Sequence, residues 1–467
     1  MRLILDFQAC QSDSRYRGVG RASRSLMLGM AKRLIGSGHD VVFLLSGAFP
    51  NELPTLKEDL LAQVPSATVK TFQIPSPCAA SCPKNAWRQI AARALREHAI
   101  ACLEPDFVHV PTLLADGWGD DAVASVGLLG IHVLVSLTHY DLIPLVMEEL
   151  YLPLGAFRDY YMVKLDNVKQ ADLLLAISEH SRKEAIECLG VAGNLVVNIS
   201  TAVETEFWQP VDNDSALEDT LKVLGIKSGF LFYAPGGFDY RKNLNGLLEA
   251  YALLPSRVRA VHQLVIASKL DPGRREILDR AMASLGIEPG EVVLTDYISD
   301  LALKHLYCAC LAYIFPSLHE GFGLPVLEAM SCGAPVIASN RASIPEVVGM
   351  DEALFNPTSP QSIADKMVQV IQDRGFRERL LENAGRQLKR FSWEHSASVA
   401  VEAIQRRYDE LKQEGWKRTP AKLLPGCEEL LKKTKHLASN CNPTPGDLMA
   451  FRKCFESNLD LMNENLL

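Results

Sequence analysis

The chain has 467 residues, of which 48% are hydrophobic and 22% charged, with a formal net charge of −8. That length exceeds a single hydrophobic core and suits two domains with extensions, and the composition excludes a disordered chain. The acidic balance argues against nucleic acid as a partner, because neutralising a phosphate backbone needs a clustered basic excess.

Short β-branched or apolar runs alternate with longer amphipathic stretches, the pattern of strand–helix units building parallel sheets. In the first half, strands are predicted at Leu3–Phe7, Val41–Leu45, Phe107–Val110, Val133–Leu137, Leu173–Ile177 and Leu195–Ile199. The second half repeats the pattern at Phe230–Ala234, Leu264–Ala267, Val292–Leu294, Tyr313–Phe315 and Val336–Ala338. Two doubly wound α/β domains follow, over residues 1–208 and 209–392, then a closing helix over 393–414. Beyond Gly415, prolines at 420, 425, 443 and 445 interrupt the pattern, so 415–467 reads as a partly helical appendage with no assigned role.

The chain opens directly on strand-like Leu3-Ile4-Leu5, which leaves no room for a signal peptide. Its longest apolar stretch, Ala122 to Leu137, is broken by Ser125 and His132 and is shorter than a bilayer span. Among the eleven cysteines only Cys78/Cys82 and Cys308/Cys310 are closely spaced, and neither has a matching pair at zinc-ligand spacing. Reduced thiols and a soluble cytoplasmic protein are expected. The basic amphipathic stretch Lys84 to Cys102 could lie on an anionic membrane surface, but packing on its own sheet is the ordinary behaviour of such a helix.

The most informative segment runs from Ser317 to Met330, Ser-Leu-His-Glu-Gly-Phe-Gly-Leu-Pro-Val-Leu-Glu-Ala-Met. Pro325 suits the first turn of a helix, and Gly333 with Pro335 suits its end. Gly321 to Leu324 then form a strand-to-helix turn whose backbone amides make an anion site apt for a diphosphate. Glu320 precedes the turn and Glu328 lies about one helical turn beyond it. Carboxylates beside a bound phosphate must bond to hydroxyls, since facing the phosphate would be repulsive. A sugar hydroxyl and a ribose hydroxyl are the natural donors. Further on, Ser343 and Glu346 fit a capping box, a structural role only.

In the segment Tyr233 to Asn243, a glycine loop with Gly236 and Gly237 ends on Arg241 and Lys242 and opens a helix from Leu244. Ligands of open α/β sheets gather at the carboxyl ends of strands, where this loop belongs. A departing diphosphate gains negative charge, which these two cations stabilise without a metal. In the first domain, Arg17-Gly18-Val19-Gly20-Arg21 opens another helix, where the glycines let backbone approach a ligand. This string half-matches a dinucleotide motif, but Ser23 replaces the last glycine. Thr138-His139-Tyr140-Asp141-Leu142-Ile143-Pro144 ends a strongly apolar strand. Asp212-Asn213-Asp214 imitates a metal-binding Asp-x-Asp but falls in the expected linker, where polar residues need no ligand.

The Glu320-to-Glu328 segment resembles the Glu-x7-Glu motif of retaining glycosyltransferases of family four. The resemblance extends through Ala334–Ser339 and Ser343–Val347, and the opening Asp6–Arg21 looks like bacterial polysaccharide and O-antigen mannosyltransferases. It spans about residues 1 to 410 and implies two facing Rossmann-like domains (GT-B) with the active site in the interdomain cleft. By that resemblance, Glu320 contacts the donor sugar, Glu328 the ribose, and Phe322, Gly323 and Leu324 line the diphosphate and sugar. Gly237 stands where relatives often carry an arginine, which puts Arg241 in its place and makes Lys242 the firmer assignment. Gly18, Gly20 and Arg21 would face donor and acceptor. Relatives carry a histidine directly before Asp-Leu-Ile-Pro; here that place is Tyr140, with His139 one earlier. Leu175–Ser181 would close the inner wall of the first domain. The resemblance implies a metal-independent, cofactor-free hexosyltransferase, with GDP-mannose as donor and a UDP-hexose as the alternative. The acceptor would be a glycan or lipid-linked saccharide, with peripheral contact at the inner membrane face. A sugar-nucleotide epimerase and a non-catalytic nucleotide-sugar-binding subunit are the rival readings; intact Glu320/Glu328 and Arg241/Lys242 count against the second.

Overall fold

The computed structural model describes residues 1–211 and 215–463, and the Asp212-Asn213-Asp214 string therefore lies outside the described residues. The chain forms two compact units. The first comprises Met1–Thr201 together with the chain from Trp393 onward, and the second Ala202–Ser392. The division thus falls at 201/202 rather than 208/209, and the closing helix and the tail belong to the first unit.

The first unit carries a seven-stranded sheet: β1 (Arg2–Asp6), β2 (Asp40–Ser46), β3 (Thr68–Phe72), β4 (Phe107–Val110), β5 (Val135–His139), β6 (Leu173–Ala176) and β7 (Val196–Asn198). Its order is β3-β2-β1-β4-β5-β6-β7, with every pairing parallel. Alternation along β1 splits its side chains between two cores. Ile4 joins Ala91, Leu95 and Val108 on one face. Leu3 and Leu5 join Met27, Met30, Leu34, Ala400 and Ile404 on the other, which is covered by the helices Gly18–Gly36 and Trp393–Gln413.

The helix Ala86–Cys102 is covered as well. The tail helices Cys427–Leu437 and Pro445–Asn463 pack against it, with Phe451 6.0 Å from the Trp87 ring and Phe455 4.9 Å from His98. Trp87 is 3% exposed, and Arg96 reaches through the core to a 2.5 Å ion pair with Asp6. The apolar stripe that could have met a membrane is therefore spent on packing, and the appendage of unassigned role is part of this unit's shell. Asn458 accepts from Gln73 N–H at 2.6 Å and donates to Gln73 C=O at 3.0 Å, matching the backbone just past β3 as a neighbouring strand would.

The second unit carries β8 (Leu231–Tyr233), β9 (Leu264–Ile266), β10 (Val292–Leu294), β11 (Ala312–Phe315), β12 (Val336–Ser339) and β13 (Leu354–Phe355). The order β10-β9-β8-β11-β12-β13 is also fully parallel. Its central strands are buried on both faces, as their continuous apolar runs require. The adjacency of β8 and β11 brings the loops after Tyr233 and Phe315 side by side at the carboxyl edge of the sheet. No helix among the described residues is long and apolar enough to cross a membrane.

Candidate functional site

The two neighbouring loops of the second unit are tied together by hydrogen bonds to backbone carbonyls. After β8 the chain makes a single 3-10 turn, Tyr240–Lys242, started by Asp239. Asn243 then takes a left-handed conformation, φ 56°, which short polar side chains tolerate. Its amide donates to Pro316 C=O at 3.1 Å and Pro357 C=O at 2.7 Å. The Leu318 amide donates to Arg241 C=O at 2.7 Å, and the Tyr233 hydroxyl to Lys242 C=O at 2.6 Å.

This lacing aims two cations at one carboxylate. Lys242 Nζ lies 2.6 Å from Glu320 Oε1, and Arg241 Nη1 lies 2.6 Å from Glu320 Oε2. Arg241 also donates to His319 C=O at 3.2 Å and pairs with Asp239 at 3.1 Å. Burial pushes the Glu320 carboxyl up, but Lys242 and Arg241 outweigh it and hold the group below its usual range. Sequence reasoning gave the carboxylate and the cations separate duties, sugar and diphosphate; the structure joins them in one cluster. A Cβ on Gly237 would meet open space, while Arg241, four residues on, brings a guanidinium to Glu320.

The turn between the two glutamates is fixed from behind. Ser343, fully buried, places its hydroxyl 2.8 Å from the carbonyls of both Glu320 and Phe322. It makes no side-chain cap on the helix Ile344–Val348, so the expected capping box with Glu346 is not formed. Gly323 starts the helix Leu324–Ser331 at φ 110°, and a Cβ there would stand 2.8 Å from Ile344 Cδ1. The Phe322 ring is 4% exposed and packs on Phe391 at 5.4 Å, so its side chain belongs to the core rather than to a ligand surface. Leu324 is half-buried at the helix start. Glu328 is 8% exposed and accepts from the Tyr307 hydroxyl at 3.3 Å. Tyr307 is itself wedged among Trp208, Phe232 and Tyr313. Neither Ser343 nor Tyr307 was assigned to the site from sequence. Ser343 sits three residues before a glutamate, which imitates a cap, and Tyr307 lies in an ordinary amphipathic helix.

In the first unit, Gly18 opens the helix Gly18–Gly36 and Gly20 lies buried two residues further along it. A Cβ on Gly20 would lie 2.2 Å from Ser14 C=O, because the turn Asp13–Tyr16 lies across the helix start. Arg21 is exposed in the first helical turn. The Tyr140 hydroxyl lies 2.9 Å from Ser23 Oγ and donates to Val19 C=O at 3.2 Å. Ser23, which stands where the dinucleotide motif has glycine, thus bonds to Tyr140 and to Val19 C=O of the loop. Ser181, at the end of the Leu175–Ser181 segment, donates to Tyr140 C=O at 2.5 Å. His139 is 3% exposed with no hydrogen-bond partner at Nε2. Burial lowers its pKa to about 4 despite the Glu184 carboxylate nearby, so the imidazole is neutral at pH 7. Both residues border a cavity of about 160 Å³.

Two family models divide the chain: Glycosyltransferase Family 4 over residues 24–207 and Glycosyl transferases group 1 over 218–387. A serotype-specific mannosyltransferase, WbdA, of Escherichia coli is 34% identical over 412 residues, covering 87% of this chain and 48% of that protein. The O-antigen chain mannosyltransferase B of Escherichia coli is 33% identical over 241 residues, 51% of this chain and 61% of that one. The chain thus spans about half the length of the WbdA relatives it matches. Among solved structures, a glycosyltransferase from Rickettsia africae superposes with a TM-score of 0.60 at 16% identity, covering 87% of this chain and 98% of that one. Anabaena HepE in complex with UDP-glucose gives 0.60 at 19% identity, covering 88% and 100%. These likenesses establish the fold, the pair of Rossmann-like domains called GT-B. With both domain models matched in order and mannosyltransferase relatives aligned over most of its length, the chain belongs to glycosyltransferase family four.

Proposed function

We propose that this protein transfers mannose from GDP-mannose to a hydroxyl of a growing glycan or lipid-linked saccharide, with retention at the anomeric carbon and without a metal. The observation that carries the reading is the Lys242–Glu320–Arg241 cluster, a pair of cations already gathered at the carboxyl edge of a parallel sheet. An arriving diphosphate competes with Glu320 for Lys242 and Arg241. The displaced carboxylate then accepts from sugar hydroxyls, which ties release of the cations to arrival of a complete donor. As the anomeric C–O bond breaks, its electron pair goes to the diphosphate, whose charge the cations stabilise. The acceptor oxygen bonds to the same face of the sugar, and its proton passes to the departing phosphate. Tyr140 and Ser23 position the glycine loop, and neutral His139 is suited to accept a hydrogen bond from a hydroxyl. Action on a lipid-linked acceptor fits a cytoplasmic protein meeting the membrane peripherally; exposed Val146, Leu150 and Leu154 give that contact an apolar surface.

Incubation with each nucleotide sugar and a mannan acceptor, with product analysis, tests the reading directly. Transfer is expected to persist in excess EDTA, because the chain's own cations meet the diphosphate. Loss on chelation, restored by Mg²⁺ or Mn²⁺, would contradict the metal-free reaction.

The two glutamates are expected to separate in binding. Glu328→Ala should weaken binding of bare GDP by roughly 1–3 kcal/mol, the cost of leaving a ribose hydroxyl unpaired. Glu320→Ala should bind GDP as well as the parent or better, since a competitor for Lys242 and Arg241 is gone, yet lose transfer. Calorimetry with GDP alone, beside transfer assays, reads the difference; equal behaviour of the two variants in both assays would remove the assignment.

A further inference from the structure

Behind the turn that carries Arg241 and Lys242 lies a cleft of about 450 Å³ that the proposed reaction does not use. Its floor is apolar, with buried Leu244 and Leu278 and the ring of Pro357. Tyr240, 67% exposed, and Ile277, 59% exposed, also line it. Large apolar side chains left open in a concave surface, rather than scattered singly, mark a binding site. Its lining also carries polar, planar groups: the amide of Asn245, the carboxylate of Glu249 and the guanidinium of Arg274.

The charge of the cleft selects the ligand class. Arg274 is paired with Asp271 at 3.2 Å, and Asp239 with Arg241 at 3.1 Å, which leaves the Glu249 carboxylate and no excess cation to attract phosphate. A nucleotide or lipid diphosphate is therefore disfavoured. A neutral ligand with one apolar face and many hydroxyls fits: the C–H face of a pyranose lies on the tyrosine ring, and paired hydroxyls meet planar amide, carboxylate and guanidinium groups. We infer that this cleft is a second saccharide site, taking a segment of the glycan rather than the donor. The identification of that glycan as mannose-containing rests on the function proposed above. Tyr240 is the first residue of the turn Tyr240–Lys242, so a saccharide seated on it stiffens the segment whose next two residues grip Glu320.

The test is binding of α-linked mannotriose to the full chain, saturated with GDP, by calorimetry and saturation-transfer NMR. Tyr240→Ala, and separately Asn245→Ala with Glu249→Ala, should each weaken mannotriose about tenfold, the scale of losing an aromatic platform or a pair of hydroxyl contacts. GDP affinity of the Asn245/Glu249 variant, whose changes lie in the helix after the cation-bearing turn and keep both cations, should match the parent and shows that it is folded. Mannotriose binding unchanged in both variants, or absent from the parent at millimolar concentration, overturns the site. The readout needs no turnover. A chain that binds mannotriose through Tyr240 but transfers nothing from GDP-mannose would retain this site and lose the proposed function.

Discussion

Lys242→Ala is expected to lower kcat by about a hundredfold or more, the usual scale for removing one preorganised electrostatic donor. The Lys242 side chain is 11% exposed and 2.6 Å from Glu320, so its charge acts in a site largely shielded from water. On the proposed function, its loss removes one of the two cations offered to the diphosphate and leaves Arg241 alone beside Glu320. The effect should fall on kcat more than on KM, because the leaving group's charge grows in the transition state. Lys242→Arg should recover part of the rate, since charge is kept while the contact geometry changes. A folded Lys242→Ala protein with near-parental kcat would reduce the residue to a structural partner of Glu320.

The second large effect concerns stability. Arg96→Met should destabilise the first unit by about 3–5 kcal/mol, the cost of stranding a charge whose buried partner is removed. Asp6 is 2% exposed at its side chain; besides Arg96 it accepts from the amide and the side chain of Gln8, at 2.9–3.1 Å. Those neutral donors cannot replace a guanidinium. Pairing Arg96→Met with Asp6→Asn should restore much of the loss, because no uncompensated charge is left inside. Thermal unfolding of the single and double variants reads this coupling, and a single variant as stable as the parent would show that the pair contributes nothing.

Much of this arrangement was legible in the sequence because its signals are local. Phe107–Val110 and Val292–Leu294 are strands with the predicted bounds, since continuous apolar runs between polar breaks leave little choice. Two strands escaped. β3, Thr-Val-Lys-Thr-Phe, is an edge strand whose Lys70 breaks the apolar pattern, although the folded chain buries it. β13 has two residues, too few for any period to register. The unit boundary was displaced because composition changes at the polar linker, whereas contacts change at Thr201. The tail reads in sequence only as a partly helical appendage, because the apolar faces of its helices are explained only by the helix they cover.

At the site, Glu320, Glu328, Arg241 and Lys242 could be named because each sits at a fixed offset from a glycine turn. The bond between the first of them and the two cations could not, because it depends on β8 lying next to β11. The same reason hid Tyr307, which reaches Glu328 from another helix. It also hid the true use of Ser343, whose spacing to Glu346 suggested a local bond while its hydroxyl serves residues more than twenty positions earlier.

The bonds between Asn458 and Gln73 bear on how the protein behaves in company. β3 is the outermost strand of its sheet, and a bare parallel edge is a template on which another chain can lay a strand of its own. By filling both hydrogen-bonding positions at Gln73, the side-chain amide of Asn458 blocks the place where such an addition would continue past Phe72. A side chain of the helix Pro445–Asn463 thus occupies the backbone pairing position that an added strand would need at Gln73.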